Sequence, residues 1–273
     1  VRARYGAVTD SERNPAFVGI NDGFFLDAAR LTLDAQKKNL SARISVDGAV
    51  DRRSTMNTAE GQVDVGLVDG FLAYRFNDHF SLQVGQFKLP FDSEELLFTR
   101  DMLFVERSVA SRGVRGIEGF NAPGMSLRRE VGAMGHIPVS LGGTFDANLW
   151  LAVTNGSGAN RPTNDNERLA YTTRLDLGTE TARVGGAFRY NEVTNGSPPD
   201  LLADEVLAWT GDLSLRHDFG AWGLSLMAVY WQSTRASVDV PTEPKITSQG
   251  YQSTLGVHLP MQFVLAYRIS GYD

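Results

Sequence analysis

The side chains best placed for chemistry in this sequence are arginines and carboxylates. The four histidines, His79, His136, His217 and His258, are scattered, and no two have the spacing of a metal-binding pair. Cysteine is absent, which removes thiolate metal sites and disulfides alike. No G-x-S-x-G elbow or phosphate-cradling glycine loop occurs, and Asn155-Gly156-Ser157-Gly158 reads as a turn because no helix follows it. No catalytic group, metal or cofactor is therefore expected, and the chain does not read as an enzyme. What remains is charge. Arg30, Arg43, Arg75, Arg128, Arg174, Arg216 and Arg268 recur along the chain with Asp34, Asp47, Asp146, Asp176 and Asp212. A second set, Arg100, Arg107, Arg112 and Arg115 with Glu94, Glu95, Asp101, Glu106 and Glu118, is confined to one segment. Opposed charges of this kind can set up a transverse field that orients polar solutes, and any local excess selects ions by sign.

The elements that carry these residues have a period of two. Phe80-Ser81-Leu82-Gln83-Val84, Tyr171-Thr172-Thr173-Arg174-Leu175-Asp176-Leu177 and Trp222-Gly223-Leu224-Ser225-Leu226 all place apolar residues at alternate positions. Such strands have one greasy face and one polar face. The pattern predicts about thirteen strands of roughly nine or more residues, the length needed to cross a bilayer at a tilt. Short turns at Gln36–Asn39, Asn77-Asp78, Gly178–Glu180, Phe219-Gly220 and Pro260-Met261 alternate with longer polar connections. Those connections span residues 51–61, 90–123, 155–166, 191–204 and 235–247. A transmembrane antiparallel up-and-down β-barrel keeps that rhythm, with short turns at one rim and long loops at the other. Tyr74, Phe76, Phe80, Trp222, Tyr230, Tyr251, Phe263 and Tyr267 fall at or near strand ends, where a membrane interface favours aromatic rings.

Composition agrees with this class. No run reaches the roughly 18 apolar residues of a membrane helix, and barrel strands escape that test because only alternate residues face lipid. With 26 basic and 32 acidic residues, net charge −6, there is no basic patch for nucleic acid. Alternation places the first set of arginines and aspartates on the polar face, toward the lumen. Lys88 falls on the apolar parity at a strand end and is expected to snorkel to the interface.

From Val65 to Ser108 the sequence resembles a known family. Val68-Asp69-Gly70-Phe71-Leu72-Ala73-Tyr74-Arg75-Phe76, then Val84-Gly85-Gln86-Phe87-Lys88-Leu89-Pro90-Phe91, then Thr99-Arg100-Asp101-Met102-Leu103-Phe104-Val105-Glu106-Arg107-Ser108 are similar to the phosphate-selective porin O and P family. Weaker echoes follow at Thr154–Asn160 and Gly250–Arg268. The resemblance implies an outer-membrane barrel of about 16 strands that assembles as a homotrimer in a Gram-negative bacterium. It also implies a long loop folded inward, here residues 90–123, with short helices over Ser93–Phe98 and Leu103–Arg107. Residues 1–273 then read as one barrel domain that further strands at the C-terminal side would complete. The cationic ladder of the family has no residue-by-residue counterpart here.

The function implied is passive diffusion of small hydrophilic solutes or anions, phosphate among them, across a lipid outer membrane. The alternative is a structural barrel that anchors or scaffolds a larger assembly with other outer-membrane proteins. In the loop, the arginines either form an anion-favouring constriction or pin the loop to the wall through ion pairs. For Arg100 and Arg107, inside the motif, pinning is the preferred reading.

Overall fold

A computed structural model describes residues 2–6, 23–52, 62–97, 102–104, 107–117, 120–127, 129–161, 163–164, 166–197 and 200–273. The strands are β1 (Arg2–Gly6), β2 (Gly23–Ala28), β3 (Arg30–Lys37), β4 (Leu40–Arg52), β5 (Gln62–Asn77) and β6 (Phe80–Lys88). Two short helices follow, α1 (Ser93–Leu96) and α2 (Val109–Arg112), and then a small hairpin of β7 (Gly113–Ile117) and β8 (Phe120–Pro123). The chain continues as β9 (Arg129–Gly142), β10 (Phe145–Thr154), β11 (Ala170–Gly178), β12 (Ala182–Ser197), β13 (Asp200–Phe219), β14 (Trp222–Ser237), β15 (Ile246–His258) and β16 (Val264–Tyr272).

Twelve strands form one antiparallel sheet in the order β16-β15-β14-β13-β12-β11-β10-β9-β6-β5-β4-β3. Each strand pairs with its neighbour in the chain, except that β6 pairs with β9 across the excursion carrying α1, α2 and the β7–β8 hairpin. β1 pairs with β2, and β2 runs into β3 with only Ala29 between them. Among the described residues no helix is long and apolar enough to cross a membrane.

The sheet inverts the burial rule of a water-soluble protein. On β11, Leu175 is 45% exposed while its neighbour Arg174 is 2% exposed, and on β12 Phe188 is 46% exposed beside Arg189 at 3%. Leu31, Leu33, Ile44, Leu72, Leu151 and Leu255 are likewise exposed. An apolar face this extensive is unstable in water and suits a hydrocarbon solvent. One cluster of buried hydrophobic residues lies where the excursion meets the polar-parity face: Phe91 and Ala110 pack with Ala187, Ala208, Val229 and Trp231.

Because the meander is antiparallel, the tight connections share one rim. Lys38-Asn39, Asp78-His79 and Gly143-Thr144 are two-residue turns there, joined by residues 179–181, 220–221 and 259–263. At the opposite rim, the connection expected over residues 191–204 is replaced by a ladder: β12 and β13 stay paired from Asn191↔Val206 to Ser197↔Asp200. β13 has 20 residues, about twice the 9–11 that cross a bilayer. Its outer part and the paired end of β12 mix Asn191, Glu192, Thr194, Asn195, Asp200 and Asp204 with Val193, Leu201, Leu202 and Ala203, so no period of two marks them and the composition imitates a loop. The expected second helix over Leu103–Arg107 is also displaced. α2 begins at Val109, and Val105 and Glu106 lie outside the described residues.

Candidate pore constriction and inner wall

The excursion after β6 begins with a helix of one turn, which needs its ends satisfied to exist at all. Asp92 caps the start: its Oδ1 accepts from the Glu95 amide at 2.7 Å. Two cations satisfy carbonyls at the other end. Lys88 Nζ donates to Glu95 O at 2.6 Å and Leu97 O at 3.1 Å. Arg107 donates to Glu94 O and to Leu97 O, and forms an ion pair with Glu95 at 2.9 Å. This corrects the expectation that Lys88 snorkels to the membrane interface. Unsatisfied helix-end carbonyls beside it are stronger partners than distant water.

Glu94 and Asp92 are buried at 3% and 0% exposure. Glu94 accepts from the Ser108 amide at 2.7 Å and from its hydroxyl at 2.5 Å, which ties the two halves of the excursion together. Asp92 accepts from the Ser126 hydroxyl. Burial pushes both carboxyls upward, Asp92 to about 6, against the opposing pull of these hydrogen bonds.

Three strands hold the excursion, two of them, β11 and β16, from the polar-parity side. Arg174 on β11 donates to Phe91 O at 3.0 Å while gripping Asp212 on β13 at 2.7 and 2.9 Å and Asp176 at 2.5 Å. Arg268 on β16 stands 3.7 Å from Glu94, with its guanidinium 4.5 Å from the Phe104 ring centre. Arg129 on β9 bonds Asp69 at 2.7 Å and lies 4.0 Å from Glu95. Gly185 on β12 faces Asp176 and Asp212 across its two ladders. A Cβ there would come within 2.2 Å of Arg174 Nη2 and 2.3 Å of Asp176 Oδ1. Any side chain there would force these charged groups to shift.

Several of the other expected lumen residues carry partners of opposite sign. Arg30 pairs with Asp47 at 3.1 Å, Arg43 with Asp34 at 2.6 Å, and Arg183 with Asp146 at 2.8 Å. Arg216 meets Asp218 at 3.4 Å with both exposed, and Arg75 is exposed near the short-turn rim. Arg100 and Arg128 lie outside the described residues. Arg112 ends α2 and Arg115 lies in β7, and their side chains also fall outside the description. Sequence reasoning passed over the buried pair Arg189–Glu130 at 2.6 Å, with Thr154 bonded to the same carboxylate. It was legible, because exposed Phe188 and half-buried Tyr190 flank Arg189 and assign it to the polar face.

The family model described as phosphate-selective porin O and P matches residues 16–224. Among solved structures the chain is similar to OmpT (in-vitro folded), an outer membrane protein of Vibrio cholerae in its trimer form. The identity is 11%, with a TM-score of 0.42 over 93% of this chain and 83% of that one. No curated protein matches the sequence.

Proposed function

Because the chain belongs to the phosphate-selective porin O and P family, we propose that it is a diffusion channel for small hydrophilic solutes that prefers anions, phosphate among them. Membership makes it a porin of a Gram-negative outer membrane. The proposal adds that the meander closes into a barrel of about 16 strands set in lipid, as spanning sheets must leave no open edge there. It also includes assembly as a homotrimer, and residues 90–123 as the constriction of the pore.

One observation carries the constriction reading. The excursion after β6 is bonded to polar-parity residues of strands far from it in the sheet, Arg174 on β11 and Arg268 on β16. Its apolar residues Phe91 and Ala110 pack against Val229 and Trp231 of β14. A connection standing out in solvent would touch neither face nor strand.

The ion pairs bear on selectivity. A guanidinium 2.6–3.1 Å from a carboxylate, as in Arg43–Asp34 and Arg30–Asp47, presents a dipole to a passing ion and little net charge. Preference for anions then rests on cations of the constriction. Arg112 and Arg115 are the ones proposed, because they lie beyond Glu106-Arg107-Ser108, where Arg107 is committed to α1. In planar bilayers the R112Q/R115Q double variant should conduct with a lower anion-over-cation permeability than the unaltered channel. An unchanged reversal potential would remove both arginines from that role.

A further inference from the structure

Strands β13 to β16 carry two rows of residues beside the excursion. Ser214, Met227, Thr254 and Arg268 pair in turn along the first row, and Arg216, Ser225, Gly256 and Ala266 along the second. Leu97 and Met102–Phe104 of the excursion lie across from them, and a cavity of about 250 Å³ separates the two sides. Ligand pockets run from about 300 Å³ upward, so the space suits a guest of one ring.

Gly256 shapes the floor. A Cβ there would come within 2.6 Å of Ser225 Oγ and 2.8 Å of Leu103 Cδ1, so the bare backbone lets the serine and the leucine border one space. Leu103 is 40% exposed, and with Met102, Phe104 and Met227 it makes an apolar bed. Covering that bed with an apolar body removes hydrophobic surface from water.

The charges at the border cancel. Two arginines, Arg216 and Arg268, face two glutamates, Glu94 and Glu180. Arg268 stands 3.7 Å from Glu94 and 4.5 Å from the Phe104 ring centre, and Arg216 meets Asp218 at 3.4 Å. A carboxylate guest would lose hydration beside the glutamates and an ammonium guest beside the arginines, with no surplus of opposite charge to offset either loss. An uncharged guest avoids both costs.

The remaining polar groups suit a hydroxyl. Ser225 Oγ lies 2.9 Å from His258 Nε2. When the serine donates to the ring its lone pairs stay available, and when the ring donates the serine keeps its proton. A guest hydroxyl both donates and accepts, so it matches Ser225 in either tautomer of His258. Thr254 Oγ1 donates to Gln252 Oε1 at 2.9 Å and retains capacity to accept. We infer that this cavity is a subsite for a small uncharged aromatic alcohol, its hydroxyl on Ser225 and Thr254 and its ring on the bed of Leu103, Phe104 and Met227. The inference rests on the pore reading for the route by which such a solute arrives, and it adds a neutral class of solute to the anions.

The test is calorimetric titration of the detergent-solubilised full-length protein with benzyl alcohol, blanked against protein-free micelles. Benzoate and benzylammonium serve as charged comparisons of similar shape. Benzyl alcohol should bind at least about tenfold more tightly than either ion. S225A and L103S should each raise its dissociation constant about fivefold, equivalent to about 1 kcal/mol. Either ion binding as tightly as the alcohol, or alcohol binding that is absent or unchanged in either variant, would overturn the subsite. Single-channel recording separates this from the pore reading. Channel openings without alcohol binding overturn the subsite alone, and alcohol binding without channel openings overturns the pore alone.

Discussion

Replacing Arg174 with methionine removes charge and keeps most of the side-chain volume, and two consequences separate. Within the wall, Asp176 and Asp212 lose their shared cation at 9% and 4% side-chain exposure. Breaking a buried pair from one side costs about 3–5 kcal/mol. At the excursion, Phe91 O loses its donor at 3.0 Å, a charge-assisted bond worth about 1.5–3 kcal/mol. The second term governs how often the excursion leaves the wall, and it corresponds to a rise in the undocked population of about 10- to 100-fold. Residues 1–273 contain no cysteine, so a thiol introduced among them adds no second thiol there. Ala110, on the excursion itself, is fully buried against the sheet and Asp78 is exposed in a turn. Labelling of A110C by a polymer-linked maleimide, normalised to D78C, should accelerate by that factor in the R174M background. Adding D212N should recover part of the thermal stability by relieving carboxylate repulsion, and leave the accelerated labelling in place. A labelling rate within twofold of the unaltered protein would refute the assignment of Arg174 as an anchor.

Three further outcomes follow from the same contacts. Gly185→Ala should lower the unfolding midpoint in detergent with a cost of about 1–3 kcal/mol, because its Cβ would sit 2.2 Å from Arg174 Nη2; an unchanged midpoint would show that the cluster relaxes freely. Docking of the excursion should weaken as pH rises. Asp92 has its folded pKa raised to about 6 from 3.8, so the docked form binds the proton more tightly, and the advantage present below the lower value is lost through the higher one. Normalised A110C labelling should accelerate across that window and D92N should flatten the profile; a flat profile in the unaltered protein would count against it. Lys88→Met should also speed labelling, by removing the donors to Glu95 O and Leu97 O; a slower or equal rate would return Lys88 to the membrane interface.

Much of the fold is written in two-residue alternation, because a strand between lipid and lumen has to present a different chemistry on each side. Leu175 beside Arg174 and Phe188 beside Arg189 show the rule in its plainest form. It fails where a strand leaves the bilayer. Residues 191–204 break the alternation, with Val193 and Leu201-Leu202-Ala203 set among polar residues, and resemble a loop, although 191–197 and 200–204 remain paired. The inner wall was legible as a set of charged residues but not as a set of pairs, since Arg174 and Asp212 come together through two ladders and a glycine that sequence alone does not align. Lys88 was misassigned for a related reason. Strand parity gives its starting direction, whereas the carbonyls of α1 decide where its ammonium ends. Asp92 followed three residues later by Glu95 is a legible helix start, and the β7–β8 hairpin left no comparable signal.

The most direct test of the anion-preferring pore is the reversal potential of the unaltered full-length protein in a planar bilayer under a potassium chloride gradient. The account predicts discrete channel openings whose current reverses on the chloride side of zero, shifted toward zero in R112Q/R115Q. Reversal on the potassium side would contradict the anion preference while leaving the porin fold intact, and absence of openings would contradict the pore.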